Sequence, residues 1–183
     1  MNKNIQKTLK YRVTYLEMDN RPNFDWPKNL KHKLTILLAE NFPAWYFLFF
    51  YKQVGKNYYW TDWLRKTDDE INEFVDDKNV LLYTLIKDGW PVGFYMLDYR
   101  KKDICDLSFF GLVNEVIGIG LGKYLLQTAI LTAWDSGKIK KLTVNTCSLD
   151  HKNAIYLYQK YGFTPVRYKD LEKKSKLVKN FAF

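Results

Sequence analysis

Little in this sequence is suited to disulfides, metal centres or a bilayer. The two cysteines, Cys105 and Cys147, form no metal-like or redox-like spacing, so no metal site is expected and the chain reads as reduced. The longest apolar run, Pro43-Ala-Trp-Tyr-Phe-Leu-Phe-Phe-Tyr51, has nine residues, where a spanning helix needs about 20. The opening Met1-Asn-Lys-Asn-Ile-Gln-Lys7 is polar and lacks the apolar core of a secretory signal. A cytoplasmic location with no membrane partner is the resulting expectation. Internal repeats and low-complexity segments are also missing, which argues against a solenoid.

What is present suits one packed domain over residues 1–183. Apolar residues make up 47% of the chain and aromatics 17%, enough to bury a core and too many for a disordered chain. The net charge is +9, from 29 Lys and Arg against 20 Asp and Glu. Such a balance suits nucleic acid, an anionic surface or a phosphorylated cofactor. No RNP-like, zinc-finger or helix-turn-helix signature accompanies it, so a nucleic-acid partner is not expected. The chain is rich in Lys, Asn, Tyr, Phe and Ile together, which reads as compositional bias. Residues 169–183, with Lys173, Lys174, Lys176 and Lys179, read as a solvated basic tail.

Lys10–Leu16 partly alternates and is predicted as a strand, followed by a loop that Pro22 and Pro27 interrupt. Alternating Leu34, Ile36 and Leu38 predict a second strand over 33–39. Ala44–Val54 is predicted as a short buried helix ended by Gly55, and Asp68–Phe74 as a surface helix with acidic residues in its first turn. Three strands then follow over Val80–Lys87, Pro91–Tyr99 and Ile104–Leu112, with Asp88-Gly89 as the first turn. Short connections make them an antiparallel meander. A helix over 121–134, a strand over 140–146, a helix over Asn153–Tyr161 and a strand over Phe163–Tyr168 complete the reading. Residues 80–168 are therefore β-β-β-α-β-α-β, with residues 1–79 in front and no linker between them.

The most informative segment is Leu107-Ser-Phe-Phe-Gly-Leu-Val-Asn-Glu-Val-Ile-Gly-Ile-Gly-Leu-Gly-Lys123. A strand enters a glycine-rich loop, and the loop opens a helix. Glycines allow a ligand close to the backbone, and the unpartnered amides of a helix N-terminus attract phosphate. The glycines do not have dinucleotide spacing, since the third comes one residue early, and the preceding strands form a meander rather than a parallel unit. No GK[ST] follows, which excludes a P-loop.

Two motifs carry a resemblance. Ile117-Gly118-Ile119-Gly120-Leu121-Gly122 is similar to the cofactor loop Q/R-x-x-G-x-G/A of the GNAT superfamily of N-acetyltransferases, with Ile117 in place of Gln or Arg. Asn153-Ala-Ile-Tyr-Leu-Tyr-Gln-Lys-Tyr-Gly-Phe163 resembles the superfamily's later helix-Gly-Phe motif. They stand in the right order, separated by a helix and a strand. Leu16-Glu-Met18, Arg21-Pro22, Tyr51-x-x-Val-Gly55, Phe109-Phe-Gly-Leu112 and Thr146–His151 extend the likeness to a bacterial GNAT subgroup of unassigned substrate, over residues 12–168.

The resemblance implies an α/β fold: a mixed, mostly antiparallel central sheet with a splayed strand pair and flanking helices. It implies acetyl-CoA (coenzyme A) as cofactor, lying between the strands of Phe109–Val113 and Leu142–Thr146. Phe110 and Leu112 would offer backbone hydrogen bonds to it, and Ile117, Gly118, Ile119, Gly120, Leu121, Gly122 and Lys123 would surround its pyrophosphate. Asn153 is either a cofactor contact or a helix cap. Tyr158 would protonate the departing thiolate, a reading favoured over core packing; Asp106 or Glu115 would be the base, unless ordered water serves instead. His151 could shuttle a proton. Cys147 would pack near the cofactor, a covalent acetyl-cysteine route being conceivable. On the acceptor side, Glu17 and Arg21 could fix a charged group, while Tyr51, Trp60 and Trp63 could form an apolar or cation-binding wall. The implied activity is transfer of acetyl to a primary amine of a small molecule or peptide in a ternary complex. The alternative is a degenerate acyl-CoA sensor of the same fold. A homodimer is common among such enzymes.

Overall fold

The computed structural model describes residues 7–28 and 33–175. Among these residues, seven strands and four α-helices follow one another as β1 (Lys7–Met18), β2 (Leu34–Ala39), α1 (Ala44–Gly55), α2 (Asp68–Val75), β3 (Val80–Lys87), β4 (Trp90–Asp98), β5 (Ile104–Leu112), α3 (Leu121–Asp135), β6 (Lys141–Cys147), α4 (Ala154–Lys160) and β7 (Thr164–Ser175). Local chemistry sets several boundaries. Asp88 and Gly89 both adopt positive φ, 51° and 90°, the conformation a two-residue hairpin turn requires. Thr67 and Glu70 form a reciprocal capping box at the start of α2, which satisfies two otherwise free amides. Gly162, at φ 100°, ends α4 in the left-handed conformation that suits glycine.

All strands join one sheet in the order β2-β3-β4-β5-β6-β1-β7. Every neighbouring pair is antiparallel except β5 and β6. The expected meander is β3-β4-β5, inside a mostly antiparallel sheet. One face buries Leu16, Leu125, Ile130, Leu142 and Val144 beneath α3 and α4. The opposite face buries Phe47, Phe50, Phe74, Phe94 and Met96 beneath α1 and α2. Covered on both faces, β4 is buried continuously from Val92 to Leu97, which explains its unbroken apolar sequence.

The β5–β6 pair decides where a ligand can enter. It is parallel and extends over only Ile104↔Lys141, Cys105↔Leu142 and Asp106↔Thr143. Beyond Asp106 the strands separate, leaving one edge of residues 107–112 without a sheet partner. That is the splayed pair which the resemblance implies.

Residues 169–175 are not a solvated tail. They continue β7 and pair with Lys7–Val13 of β1. Lys173 donates to Asp62 (2.9 Å) and to the Tyr59 carbonyl, and its side chain is only 13% exposed. An edge strand tolerates charged residues, so its charges concealed its extended conformation. Lys176 and Lys179 lie outside the described residues. β1 is likewise longer than Lys10–Leu16.

Candidate active site

A cavity of about 300 Å³ fills the split between β5 and β6. The glycine loop stands at one end of its lining, with Ile117, Gly118, Gly120 and Gly122. Gly118 and Gly120 both have φ +91°, and a Cβ on either would meet nothing within 4 Å. Glycine is favoured there by backbone conformation, and the space beside it is open. Gly120 directly precedes α3, whose first amides have no partners within the helix. This is an anion cradle with room for a phosphate chain. Leu121 is buried in the core, whereas Ile119 and Lys123 are exposed. Leu121 therefore has only backbone to offer.

Phe110, Gly111 and Leu112 form the wall on β5, beside the strand's unpaired edge. The opposite wall comes from Asn153, Ala154, Leu157 and Tyr158. Asn153 makes no side-chain capping bond, so the cap alternative does not apply. Tyr158 is 6% exposed and packs edge-on against Phe110 and Phe163. Its hydroxyl makes no hydrogen bond among the described residues. Burial, with the charges of Asp150 and Asp106 behind it, raises its pKa well above 10; at neutral pH it is a proton-bearing phenol.

Asp106 lies elsewhere. Cys105 and Leu107 belong to the core under α3, so alternation turns Asp106 toward the α1 and α2 face. It lines a separate recess with Asp98, Arg100, Lys101, Ile104 and Thr143, at the closed end of the split. The hydroxyls of Thr143 (2.5 Å) and Ser108 (2.9 Å) donate to its carboxylate. Burial raises its pKa, partly offset by those two bonds. Glu115, the other base considered, is exposed in a 3-10 turn and does not line the cavity.

The acceptor-side expectations divide. Glu17 is bonded to the Lys141 ammonium and Arg21 to both oxygens of Asp135; neither lines the cavity or the recess. Nearby opposite charges already engage both. Tyr51 is buried, and its hydroxyl accepts the N–H groups of Asp62 (3.1 Å) and Trp63 (3.3 Å). Burial pushes its pKa up to about 12. It props the loop after α1 rather than facing a ligand. Trp63 packs against Phe47, Phe74 and Phe109. His151 does line the cavity, accepting the Asn153 N–H at Nδ1 (3.2 Å).

Sequence reasoning did not single out Asp150, Thr146, Val54 or Tyr58, all of which line the cavity. Asp150 accepts from the Cys147 N–H (2.7 Å), the Thr146 hydroxyl (2.9 Å) and the Trp60 indole (3.0 Å). It stood inside a quoted motif without a role. Val54 likewise stood without a role inside Tyr51-x-x-Val-Gly55, while Tyr58, in the turn after α1, belonged to no motif. Cys147 is half-buried, and burial with Asp150 pushes its pKa up to about 11. It is a protonated thiol at neutral pH, which does not favour an acetyl-cysteine route.

The model of the acetyltransferase (GNAT) family matches residues 36–163. No curated protein matches. Among solved structures, a functionally unknown conserved protein of Staphylococcus epidermidis is 12% identical over 91% of this chain, with a TM-score of 0.62. A GCN5-related N-acetyltransferase of Kribbella flavida is 14% identical over 88% of the chain, at 0.60. This chain spans 63% and 56% of their lengths respectively. A GNAT family acetyltransferase of Elizabethkingia anophelis, solved with acetyl-CoA bound, is 22% identical over 73% of this chain and 78% of its own, at 0.53. These likenesses concern the fold; the family match extends from β2 through the glycine loop to Phe163, and the chain belongs to the GNAT acetyltransferase family.

Proposed function

We propose that this chain transfers the acetyl group of acetyl-CoA to a primary amine of a small molecule or peptide, in a ternary complex. The observation that carries this reading is the β5–β6 split, with the anion cradle at Gly118–Gly122 and the Tyr158 hydroxyl on one cavity. The residues fit the cofactor: the open space beside Gly118 and Gly120 suits a pyrophosphate, and the free edge of β5 suits an amide-bearing arm. Acetyl-CoA supplies an activated acetyl thioester.

The remaining chemistry belongs to side chains. A C–N bond forms as the C–S bond breaks, and the sulfur needs a proton. Tyr158 holds one on an oxygen that has no competing partner among the described residues, and donates it. The amine must lose a proton. Asp106 is a carboxylate of raised proton affinity, and its recess shares no lining residue with the cavity; its base role therefore runs through a water. Asn153 and His151 border the cavity at the start of α4 and hold the ligand there.

Thermal shift against acetyl-CoA, with NADH as contrast, tests the cofactor; a rise with acetyl-CoA alone is expected. Tyr158→Phe then separates binding from chemistry. The variant should bind acetyl-CoA as wild type does while kcat falls about 100-fold, the scale of a lost general acid. An unchanged kcat would remove Tyr158 from the reaction.

A further inference from the structure

Beyond Thr143, β6 has no hydrogen bonds to β5, so something else must set the width of the split. On the α3 and α4 face, Tyr158 packs against Phe110, with ring centroids 6.0 Å apart. On the opposite face, one residue spans the gap. The Trp60 ring rests 6.0 Å from Phe109 of β5, and its Nε1 donates to Asp150, just beyond the end of β6. Asp150 also holds Thr146 and Cys147 at the end of that strand. The two strands are thus joined through one indole and one carboxylate.

The strut is well seated. A Cβ on Gly55 would lie 2.2 Å from the Trp60 Cβ, so α1 ends in a glycine beneath the indole. The Tyr58 ring meets His151 edge-on at 6.2 Å, a second contact between the same two segments. Lys173 fixes the far side of the loop through Asp62 and the Tyr59 carbonyl. Asp150 itself borders the cavity.

We propose that Asp150 and Trp60 are positioning residues: their hydrogen bond is a strut that sets the separation of β5 from β6, and thereby the fit of the cleft to its cofactor. This rests on the reading that the cleft holds acetyl-CoA. Without the strut the outer part of β6 is held on one side only, by β1, and the cleft loses its fixed width. The effect belongs to cofactor affinity and not to the transfer step.

Wild type, Trp60→Phe, Asp150→Asn and the double variant are compared. The phenyl ring retains packing against Phe109 and leaves the other two bonds of Asp150 in place. Three quantities are read: indole N–H exchange by NMR, acetyl-CoA affinity by calorimetry, and KM against kcat. The Trp60 indole proton should exchange slowly in wild type and rapidly in Asp150→Asn, where the one remaining oxygen stays with the Cys147 N–H and the amide NH2 faces the indole. Each single variant should bind acetyl-CoA about tenfold more weakly, as expected for one lost charge-assisted bond. The double variant should be no weaker than either single one. For Trp60→Phe, whose side chain does not line the cavity, KM for acetyl-CoA should rise while kcat at saturation holds, whereas general misfolding would lower kcat and ligand-free Tm. A rapidly exchanging indole in wild type, or variants that bind acetyl-CoA normally, would overturn the strut. A protected indole in a wild type that binds no acetyl-CoA would instead sink the cofactor reading, and the role assigned to the strut with it.

Discussion

Asp106 is a half-buried carboxylate that two hydroxyls serve and that forms no ion pair among the described residues. Desolvation favours its neutral form, so its pKa in the folded chain lies above the ordinary 3.8. Between those two values the folded state binds more protons than the unfolded one. Stability linked to this group is therefore complete at low pH and is lost as pH rises through the folded pKa. Asp106→Asn retains an oxygen for one hydroxyl and removes the charge. The Tm difference, variant minus wild type, should increase from pH 4 to pH 7; a flat difference would show that the carboxylate is already well solvated. Gly111 poses a different constraint at the same scale. A Cβ there would lie 2.2 Å from Val54 Cγ1, so Gly111→Ala should cost about 1–3 kcal/mol by overpacking. Adding Val54→Ala should recover part of that loss in urea unfolding, since the clash is with that one side chain. Two single losses that simply add would place the strain elsewhere.

β7 is the element whose length matters most. Its Lys169–Ser175 portion pairs with Lys7–Val13 of β1, and its loss would leave Lys7–Arg12 without any sheet partner, since β6 pairs only from Val13 onward. Compared with a chain ending after Ser175, one ending after Tyr168 should have a lower Tm and aggregate more readily. Equal Tm for the two would mean that the outer strand contributes nothing. This segment was unreadable in sequence because Lys169-Asp-Leu-Glu-Lys-Lys174 has the composition of a solvated end; only its pairing with a distant strand makes it extended. β3 and β5 were legible for the opposite reason. Their apolar runs are bounded by turn residues at Asp88-Gly89 and by the glycine loop, and local chemistry suffices there. The glycine loop and Tyr158 were legible as motifs. The strut was not: Trp60 and Asp150 lie 90 residues apart, and nothing near either one in the sequence marks the other. Glu17 and Arg21 looked available because Lys141 and Asp135, which engage them, are also remote in sequence.

Across the whole molecule, the sheet is two pieces joined at a narrow seam. β2-β3-β4-β5 and β6-β1-β7 share only the three residue pairs at Ile104–Asp106 and Lys141–Thr143. The N-terminal strand β1 lies between β6 and β7, so the second piece is assembled from both ends of the chain. Much of the connection comes from α3, whose buried face packs across both pieces, with Leu125 and Ile130 in the same core as Val92, Leu16 and Val144. A ligand in the split would add contacts to both pieces at once, through the β5 edge on one side and Thr146 and Asp150 on the other. Scanning calorimetry should therefore show one unfolding transition that shifts upward as a whole with acetyl-CoA, by about 2.7 kcal/mol at 100 times Kd. Two transitions, only one of which responds, would mean that the pieces unfold separately and that the helical core does not couple them. In that case hydrogen exchange would locate the responsive piece, because its strand amides alone would gain protection with the ligand.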